Sequence, residues 1–319
     1  MSTQHRVIPI FIPQKACPYR CVYCNQFAIA AQRRIPQPAE VDHIIREHLS
    51  TMPAHAEKRI AFFGGSFTGM SIAEQNRYLD MAQPYLADGS VQGIQLSTRP
   101  DYISPEILDN LKSHGVMLIE LGAQSLDDEI LQRVHRGHTV EQVARASEMI
   151  LQRGFTLGLQ MMIGLPGDSK AKALKTAQMI ADFGATCTRI YPTLVVDNTP
   201  LAEWYRNEQY QPLTLEEAID WTKDIYRFFT DKNITVLRVG LHPSEGLLSG
   251  KDYLAGPFHV SFKELVLTAI WHDSIQQKIL EEGHEDIVIE VPANEINHAV
   301  GYSSANRKAF PKVFFKTTN

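Results

Sequence analysis

The chain has 319 residues, of which 44% are hydrophobic and 21% are charged, a composition typical of a globular protein with one large or two modest domains. Its formal net charge of -5 excludes a polycation that binds nucleic acid through bulk charge. No apolar run approaches the ~18 residues that a membrane span requires, so we expect no membrane partner.

Short apolar segments alternate along the chain with longer segments in which apolar residues recur every three or four positions. The short segments predict six strands: Val7–Ile12, Arg59–Phe63, Gly93–Ser97, Met117–Gly122, Thr156–Ile163 and Thr188–Val195. The intervening segments predict helices: Ala39–Ser50, Ile72–Leu86, Pro105–His114, Val140–Arg153 and Lys170–Phe183. Repeated strand–helix units predict a parallel sheet, because parallel neighbours need a crossover connection. Periodicity alone does not distinguish a barrel-like arc from a doubly wound open sheet.

After the sixth strand, we predict a helix at Leu215–Thr230 and a strand at Thr235–Gly240. The pattern changes near residue 262, so we divide the chain into residues 1–262 and a small α/β C-terminal appendage, residues 263–319. The appendage predicts a long helix, a strand and a helix-turn-helix-like end: Lys263–Glu282, Asp286–Val291 and Pro292–Lys308.

Three of the four cysteines, Cys17, Cys21 and Cys24, follow the first predicted strand. Three thiolates on one short loop can hold three irons of a [4Fe–4S] cluster and leave the fourth iron open to a non-protein ligand. A structural zinc site usually needs four ligands in two pairs, and a redox Cys-x-x-Cys leaves Cys17 unexplained. The spacing favours an iron–sulfur cluster, with zinc and thiol redox chemistry as the alternatives. We predict that Cys187 is a small buried hydrophobe.

Motifs rich in glycine or polar residues follow the other predicted strands. Gly64 and Gly65 follow the second, Arg99 the third, Gln124 the fourth, and Gly164 begins a turn after the fifth. The carboxyl ends of parallel strands meet at one edge, so these residues and the cysteine loop are predicted to share one rim. Glycine allows close backbone approach to a ligand, and the planar fork of arginine suits a carboxylate.

Polar side chains also lie within the predicted strands. Glu120 would be a buried acid unless it is paired, and an inward Arg189 needs an anionic partner. Tyr191 alternates with Arg189 and so can point the same way, while Gln160 lies on the neighbouring strand. We predict catalytic roles for Glu120, Gln124, Arg189 and Tyr191.

The segment Cys17–Cys24, with Tyr23 before the last cysteine, resembles the radical S-adenosylmethionine (SAM) signature. Six later motifs resemble, in order, those of the radical SAM domain of the Elongator catalytic subunit and its stand-alone bacterial relatives. They are Phe63–Thr68, Ser97–Asp101, Glu120–Ser125, Arg136–Thr139, Gly158–Gly167 and Arg189–Thr193. The resemblance spans roughly residues 5–262.

This resemblance implies a partial (β/α)6 TIM-like barrel and a [4Fe–4S] cluster on Cys17, Cys21 and Cys24. The open iron would chelate SAM, which the reduced cluster would cleave to a 5′-deoxyadenosyl radical. The residues that the resemblance assigns to SAM binding are Gly64, Gly65, Ser66, Ser97, Arg99, Gln124, Gln160 and Gly164. Ser66 stands where other radical SAM families often have a glutamate.

The resemblance implies hydrogen abstraction from a small heterocyclic or nucleoside-type substrate, in a lyase or rearrangement reaction such as that of queuine lyase. A tRNA- or RNA-modifying radical SAM enzyme is the first alternative. A non-catalytic iron–sulfur or zinc protein that binds RNA is the second. We expect a flavodoxin or ferredoxin as reductant, no Elongator-type acetyltransferase domain, and, from the free thiols and the lack of a leader, a cytoplasmic location.

The C-terminal end, including the turn at 301–304, resembles part of a KH-like RNA-binding module, although Ser304 replaces the second glycine of the Gly-x-x-Gly turn. The last nineteen residues carry four basic residues and no acid: Arg307, Lys308, Lys312 and Lys316. We predict a solvated tail here, with RNA binding as the alternative.

Overall fold

The computed structural model describes residues 6–13, 15–17, 21–26, 34–241, 243–284 and 286–318. Its main feature is one sheet in which seven strands run parallel. In spatial order these are β1 (Arg6–Phe11), β2 (Lys58–Phe63), β3 (Gly93–Thr98), β4 (Val116–Gln124), β5 (Thr156–Ile163), β6 (Cys187–Pro192) and β8 (Thr235–Val239). Sequential order with crossovers is the arrangement of a partial TIM-like barrel, which confirms the predicted α/β arc and excludes the doubly wound sheet.

The arc has one strand more than the six predicted units. Thr235–Val239 pairs with β6, with Cys187 opposite Thr235 and Ile190 opposite Val239. The sixth predicted strand is also shorter than expected, because Val195–Val196 leaves the sheet as β7 and pairs antiparallel with β9 (Tyr253–Ala255).

Helices that connect the parallel strands lie where the apolar periodicity predicts them: α1 (Pro38–Thr51), α2 (Ile72–Ala87), α3 (Pro105–Ser113), α5 (Val140–Gln152), α6 (Lys170–Asp182) and α8 (Leu215–Asp231). The described ranges also contain three short helices that were not predicted: α4 (Asp128–Arg133), α7 (Pro200–Arg206) and α9 (Glu245–Leu248), of which α9 follows the last parallel strand. Side-chain caps begin several of them: the Thr139 hydroxyl accepts from the Gln142 backbone N–H, and Thr214 does the same for Glu217. No helix in the described ranges is both long and apolar enough to cross a membrane.

The two faces of the curved sheet differ in chemistry. On β4, Ile119, Leu121 and Ala123 are fully buried in the main hydrophobic core, which the surrounding helices share. Glu120 and Gly122 alternate with them and so face the opposite side, the concave interior. Helices therefore cover the outer face, and the inner face lines a cavity that contains both apolar and polar side chains.

The C-terminal region contains α10 (Phe262–Glu282), β10 (Ile287–Pro292), α11 (Ile296–Val300), α12 (Ala305–Ala309) and β11 (Val313–Thr318). The predicted solvated tail is wrong for Val313–Thr318, which pairs in parallel with β10. Val313 is 5% exposed and packs with Ile275 and Ile287, so burial of an apolar β-branched residue holds the strand in place. The turn before α12 contains Ser303 and Ser304 in left-handed conformation, with φ of 51° and 60°.

Candidate active site

The concave side of the sheet lines a cavity of about 1320 Å³. Cys17, Cys21 and Cys24 line it, so the three thiols of the cysteine loop open onto the same space as the strand ends. Among the described residues the charged side chains in its wall are all arginines: Arg59, Arg99, Arg136, Arg189 and Arg238. The charged groups that reach the wall are therefore cationic, although the whole chain is acidic.

The cysteine loop follows β1, and other segments hold its described residues in place. The Val22 backbone N–H donates to the Val134 carbonyl at 3.1 Å, and the Val22 carbonyl accepts from the Leu201 N–H at 2.8 Å. Cys17 Sγ lies 3.7 Å from Ser66 Oγ. Cys21 is buried and Cys24 half-buried, while residues 18–20 lie outside the described ranges.

The glycine pair after β2 packs against this loop. Gly65 has φ of 53°, and a Cβ at this position would lie 2.4 Å from the Lys15 carbonyl oxygen. The Ser66 N–H donates to the same Lys15 carbonyl at 2.9 Å, and the Gly65 N–H donates to Gln26 Oε1 at 2.8 Å. Gly64 and Gly65 line the cavity, so one loop both supports the cysteines and presents backbone to a ligand.

Arg99 and Arg136 form a buried layer beneath the cysteine loop. Arg99 is 2% exposed, and its Nε and Nη2 donate to the Asp101 carboxylate at 2.9 and 3.0 Å. Arg99 Nη2 also donates to the Arg136 carbonyl at 2.8 Å. Arg136 in turn donates from Nη2 to the Gly122 carbonyl at 2.7 Å and from Nη1 to Cys21 Sγ at 3.6 Å. Arg99 is thus not a solvated surface residue.

Glu120 and Arg189, each of which was predicted to need a partner of opposite charge, pair with each other. Arg189 Nε and Nη2 donate to the Glu120 carboxylate at 2.5 and 2.9 Å, and Gln160 Nε2 donates to it at 3.1 Å. Arg189 also lies 4.9 Å from the Phe63 ring centroid. Burial raises the pKa of Tyr191, a neighbour of Arg189, so its hydroxyl remains protonated. Gln160, Arg189 and Tyr191 line the cavity, with Glu120 behind Arg189.

Gln124, Ser97 and Gly164 occupy different positions at the rim. Gln124 and Ser97 line the cavity, and Gln124 has φ of 68° beside a register shift in β4. Gly164 lies beside the cavity, outside its described lining. Its N–H donates to Asp168 Oδ2 at 2.9 Å, and its carbonyl accepts from the Tyr210 hydroxyl at 2.6 Å. Burial raises the pKa of Asp168 to about 6.

The Cys17 and Cys24 thiols are protonated in the absence of a metal. Burial raises the pKa of Cys24 to about 12, and burial also raises the pKa of Cys17. Only the thiolate binds a metal, so metal loading has to displace these protons.

The described residues fit an iron–sulfur cluster. Cys17, Cys21 and Cys24 all open onto the cavity, and in a cluster each thiolate would bind its own iron. The buried Arg136 guanidinium has no carboxylate within 4.0 Å among the described residues, and its Nε has no hydrogen-bond partner there. A buried cation needs a nearby anion, which cluster-bound thiolates supply.

Arg136 is the functional candidate that residue-level reasoning missed. It begins the Arg136–Thr139 motif. The sequence signal that could have indicated its role was the position of this motif directly before α5, whose N-cap is Thr139. The contact with Cys21 joins residues 115 positions apart, so no local pattern could reveal it.

Two family models match the chain. One, described as the radical SAM superfamily, matches residues 11–180, and the other, described as a radical SAM C-terminal domain, matches residues 185–271. Among curated relatives, a tRNA uridine(34) acetyltransferase of Dehalococcoides mccartyi is 27% identical over 242 residues, which are 65% of this chain and 53% of that protein. Protein YhcC of Escherichia coli is 26% identical over 203 residues, 62% of this chain and 63% of YhcC.

Among solved structures, the archaeal Elp3 of Methanocaldococcus infernus superposes with a TM-score of 0.64 at 20% identity. The match covers 88% of this chain and 64% of the Elp3 chain, and it shows a shared fold. The chain thus spans about half to two thirds of the length of these relatives, 53% in the case of the Dehalococcoides protein.

Proposed function

Because this chain belongs to the radical SAM superfamily, whose enzymes use a [4Fe–4S] cluster and SAM, we propose that it acts on a small heterocyclic or nucleoside-type substrate. The observation that carries the proposal is the concave cavity of about 1320 Å³ onto which all three loop cysteines open. A cavity of this size holds a cofactor together with a compact second molecule.

Cys17, Cys21 and Cys24 would hold the cluster, which supplies the electron that cleaves SAM to methionine and a 5′-deoxyadenosyl radical. The backbone of Gly64 and Gly65 would bind SAM, together with Ser97, Arg99, Gln124 and Gln160. Ser66 would contribute through its contact with Cys17. Gly164 would contribute by forming the turn to which Asp168 and Tyr210 hydrogen-bond.

Deeper in the cavity, Arg189 and Tyr191 would contact the substrate. Glu120 and Gln160 fix the Arg189 guanidinium, so its orientation is set before a ligand arrives. We propose a lyase or rearrangement, with cleavage of a modified base, as in queuine lyase, as the more specific form. The external electron would come from a flavodoxin or ferredoxin.

Anaerobic reconstitution tests the cofactor step. We expect about four irons per chain and 5′-deoxyadenosine formation with dithionite. A C17A/C21A/C24A variant should lose both, whereas Cys187→Ala, the same change at the cysteine outside the loop, should retain both. Iron uptake by the triple variant would contradict the assignment of the ligands. The substrate is sought by comparing metabolites of cells with and without the protein.

A second candidate function is modification of tRNA. Phe314 is 65% exposed on β11, and the exposed cations Arg307, Lys308 and Lys312 lie in the same short region. Exposed aromatic rings stack on unpaired bases, and neighbouring cations contact phosphates. The relatives that bear the name tRNA uridine(34) acetyltransferase agree with this candidate.

Charge reversal distinguishes the two candidates without removing β11. If RNA binds here, R307E/K308E/K312E should weaken tRNA binding at least tenfold in a filter assay at fixed salt. The matched control, R145E/K232E/K251E, reverses three exposed cations elsewhere and should have little effect. Equal tRNA binding by both variants and the unaltered protein would count against RNA recognition at this end.

A further inference from the structure

We propose that Arg136 is a positioning residue that raises the reduction midpoint potential of the bound cluster through its hydrogen bond to Cys21. The inference rests on the proposed cluster site and concerns how readily the bound cluster accepts an electron. Arg136 Nη1 lies 3.6 Å from Cys21 Sγ, and the side chain is buried.

Arg136 differs from other arginines in the cavity wall in the acceptors that it contacts. Arg59, Arg99 and Arg189 form ion pairs with Glu57, Asp101 and Glu120. Among the described residues, the hydrogen-bond acceptors of the Arg136 guanidinium are the Gly122 carbonyl and the Cys21 sulfur. Among the described residues, the side-chain acceptor of the Arg136 guanidinium is therefore a cluster ligand, which carries a negative charge as a thiolate.

The backbone around Arg136 fixes the position of its guanidinium. Arg99 Nη2 donates to the Arg136 carbonyl, and the Val134 carbonyl accepts from Val22, the residue after Cys21. Gly122 leaves room for the guanidinium, since a Cβ there would lie 2.9 Å from Arg136 Nη2. Two backbone hydrogen bonds thus fix the segments that carry the cation and the sulfur, and Gly122 leaves the space that the guanidinium occupies.

A cation held against a cluster sulfur favours the reduced state. One-electron reduction by an external reductant such as dithionite adds a negative charge to the cluster and its thiolates. A buried guanidinium interacts more strongly with the more negative state, because the site is shielded from water. Hydrogen bonds to cluster sulfurs act on the potential in the same direction.

The test is a dye-mediated redox titration of the reconstituted protein, followed by absorbance and electron paramagnetic resonance. We expect Arg136→Met to shift the midpoint potential to a more negative value at the same iron content. Arg136→Lys, which keeps the charge, should shift it less. Arg133→Met is the matched control, because Arg133 is exposed three residues away and should leave the potential unchanged.

Gly122→Ala provides a test that retains Arg136, should Arg136→Met fail to take up iron. The new Cβ would crowd the flexible ends of Arg136 and Gln124, at 2.9 and 2.7 Å, so the side chains move while the fold remains. We expect a more negative potential than in Gln124→Ala, which controls for the displaced glutamine. Unchanged potential in either iron-loaded Arg136→Met or Gly122→Ala overturns the inference, even if SAM affinity falls.

The two proposals fail in distinguishable ways. If the unaltered protein takes up no iron, the cluster assignment itself is wrong. If it takes up iron and its potential equals that of the Arg136 variants, only the role of Arg136 is wrong.

Discussion

Glu120 and Arg189 come from β4 and β6, and their charged groups meet inside the sheet with side chains that are 1% and 12% exposed. Replacing both partners of a buried ion pair by uncharged residues of similar volume often changes the free energy of unfolding little. Removing one partner leaves an uncompensated charge on a side chain that is largely buried. Loss of one partner of this pair should therefore lower the free energy of unfolding more than loss of one partner of a surface ion pair.

We predict that Arg189→Met lowers the free energy of unfolding of the cofactor-free protein by about 3–5 kcal/mol. The double variant Glu120→Gln with Arg189→Met should recover much of this loss. Arg153→Met, which breaks the exposed pair with Asp109, should cost about 1 kcal/mol or less. Urea unfolding measures all three, and additive losses in the double variant would contradict the coupling.

His138 is 4% exposed and lies near two buried arginines. Burial, with Arg136 and Arg99 adding to it, lowers the pKa of His138 to about 2. The folded protein therefore holds this imidazole neutral, whereas the unfolded chain protonates it below its ordinary pKa near 6.5. Folding stability contributed by the neutral ring is present above about pH 6.5 and declines as the pH falls toward 2.

We predict that acidification from pH 7 to pH 5 destabilises the unaltered protein by about 2 kcal/mol more than His138→Gln. Comparing the two proteins by urea unfolding at each pH cancels the titration of other groups. Parallel stability curves for both proteins would show that His138 is accessible to protons in the folded state.

At the scale of elements, the loops after β1 and β2 depend on each other. The glycine pair after β2 leaves space for the Lys15 backbone, so the conformation of the cysteine loop is supported from the neighbouring strand end. The motif at Gly64 and Gly65, which the sequence predicts to contact a ligand, therefore also packs against the cysteine loop.

We predict that Gly65→Ala reduces iron uptake during reconstitution, because its Cβ would lie 2.4 Å from the Lys15 carbonyl oxygen. Gly89→Ala is the matched control: Gly89 has φ of 75°, but nothing lies within 4 Å of a Cβ there. Both variants carry a left-handed alanine at a cost of about 1–2 kcal/mol, so a difference in iron content reports the loop contact. Equal iron content would show that the loop accommodates the methyl group.

At the scale of the whole molecule, α10 joins two hydrophobic clusters. Phe262 and Val266 belong to the main core, whereas Ile275 packs with Ile287 and Val313 of the C-terminal strands. A rigid helix that is shared by both clusters couples their unfolding, so we expect a single cooperative transition.

We predict that Ile287→Ala lowers the free energy of unfolding of the whole chain by about 2–5 kcal/mol, because it opens a cavity in the C-terminal cluster. Val288→Ala, its 58% exposed neighbour, should change stability by less than about 0.5 kcal/mol. An early, separate transition in Ile287→Ala would show that the C-terminal strands unfold independently.

Much of the fold follows from local pattern. The positions of the parallel strands and of the longer helices agree with apolar periodicity, whereas the short elements α4, α7, α9, β7 and β9 were not predicted. The order of the parallel strands follows from right-handed crossovers. The sequence reading missed β11 because its exposed lysine and threonines resemble a tail, and only pairing with β10 buries Val313. The shared rim of the cysteine loop, glycine pair and Gln124 was predictable, since parallel strands end at one edge.

The cysteine spacing and the alternation of apolar residues by themselves predict an iron–sulfur site and a parallel α/β sheet, because both depend on neighbours in the chain, and the ordered motifs that resemble the radical SAM family add the cofactor chemistry and the arc. Only the tertiary structure decided that Arg189 pairs with Glu120 and that Arg136 donates a hydrogen bond to Cys21. These contacts join residues 69 and 115 positions apart in the chain. These contacts depend on how far strands curve and where side chains end in space, and no local periodicity encodes those distances.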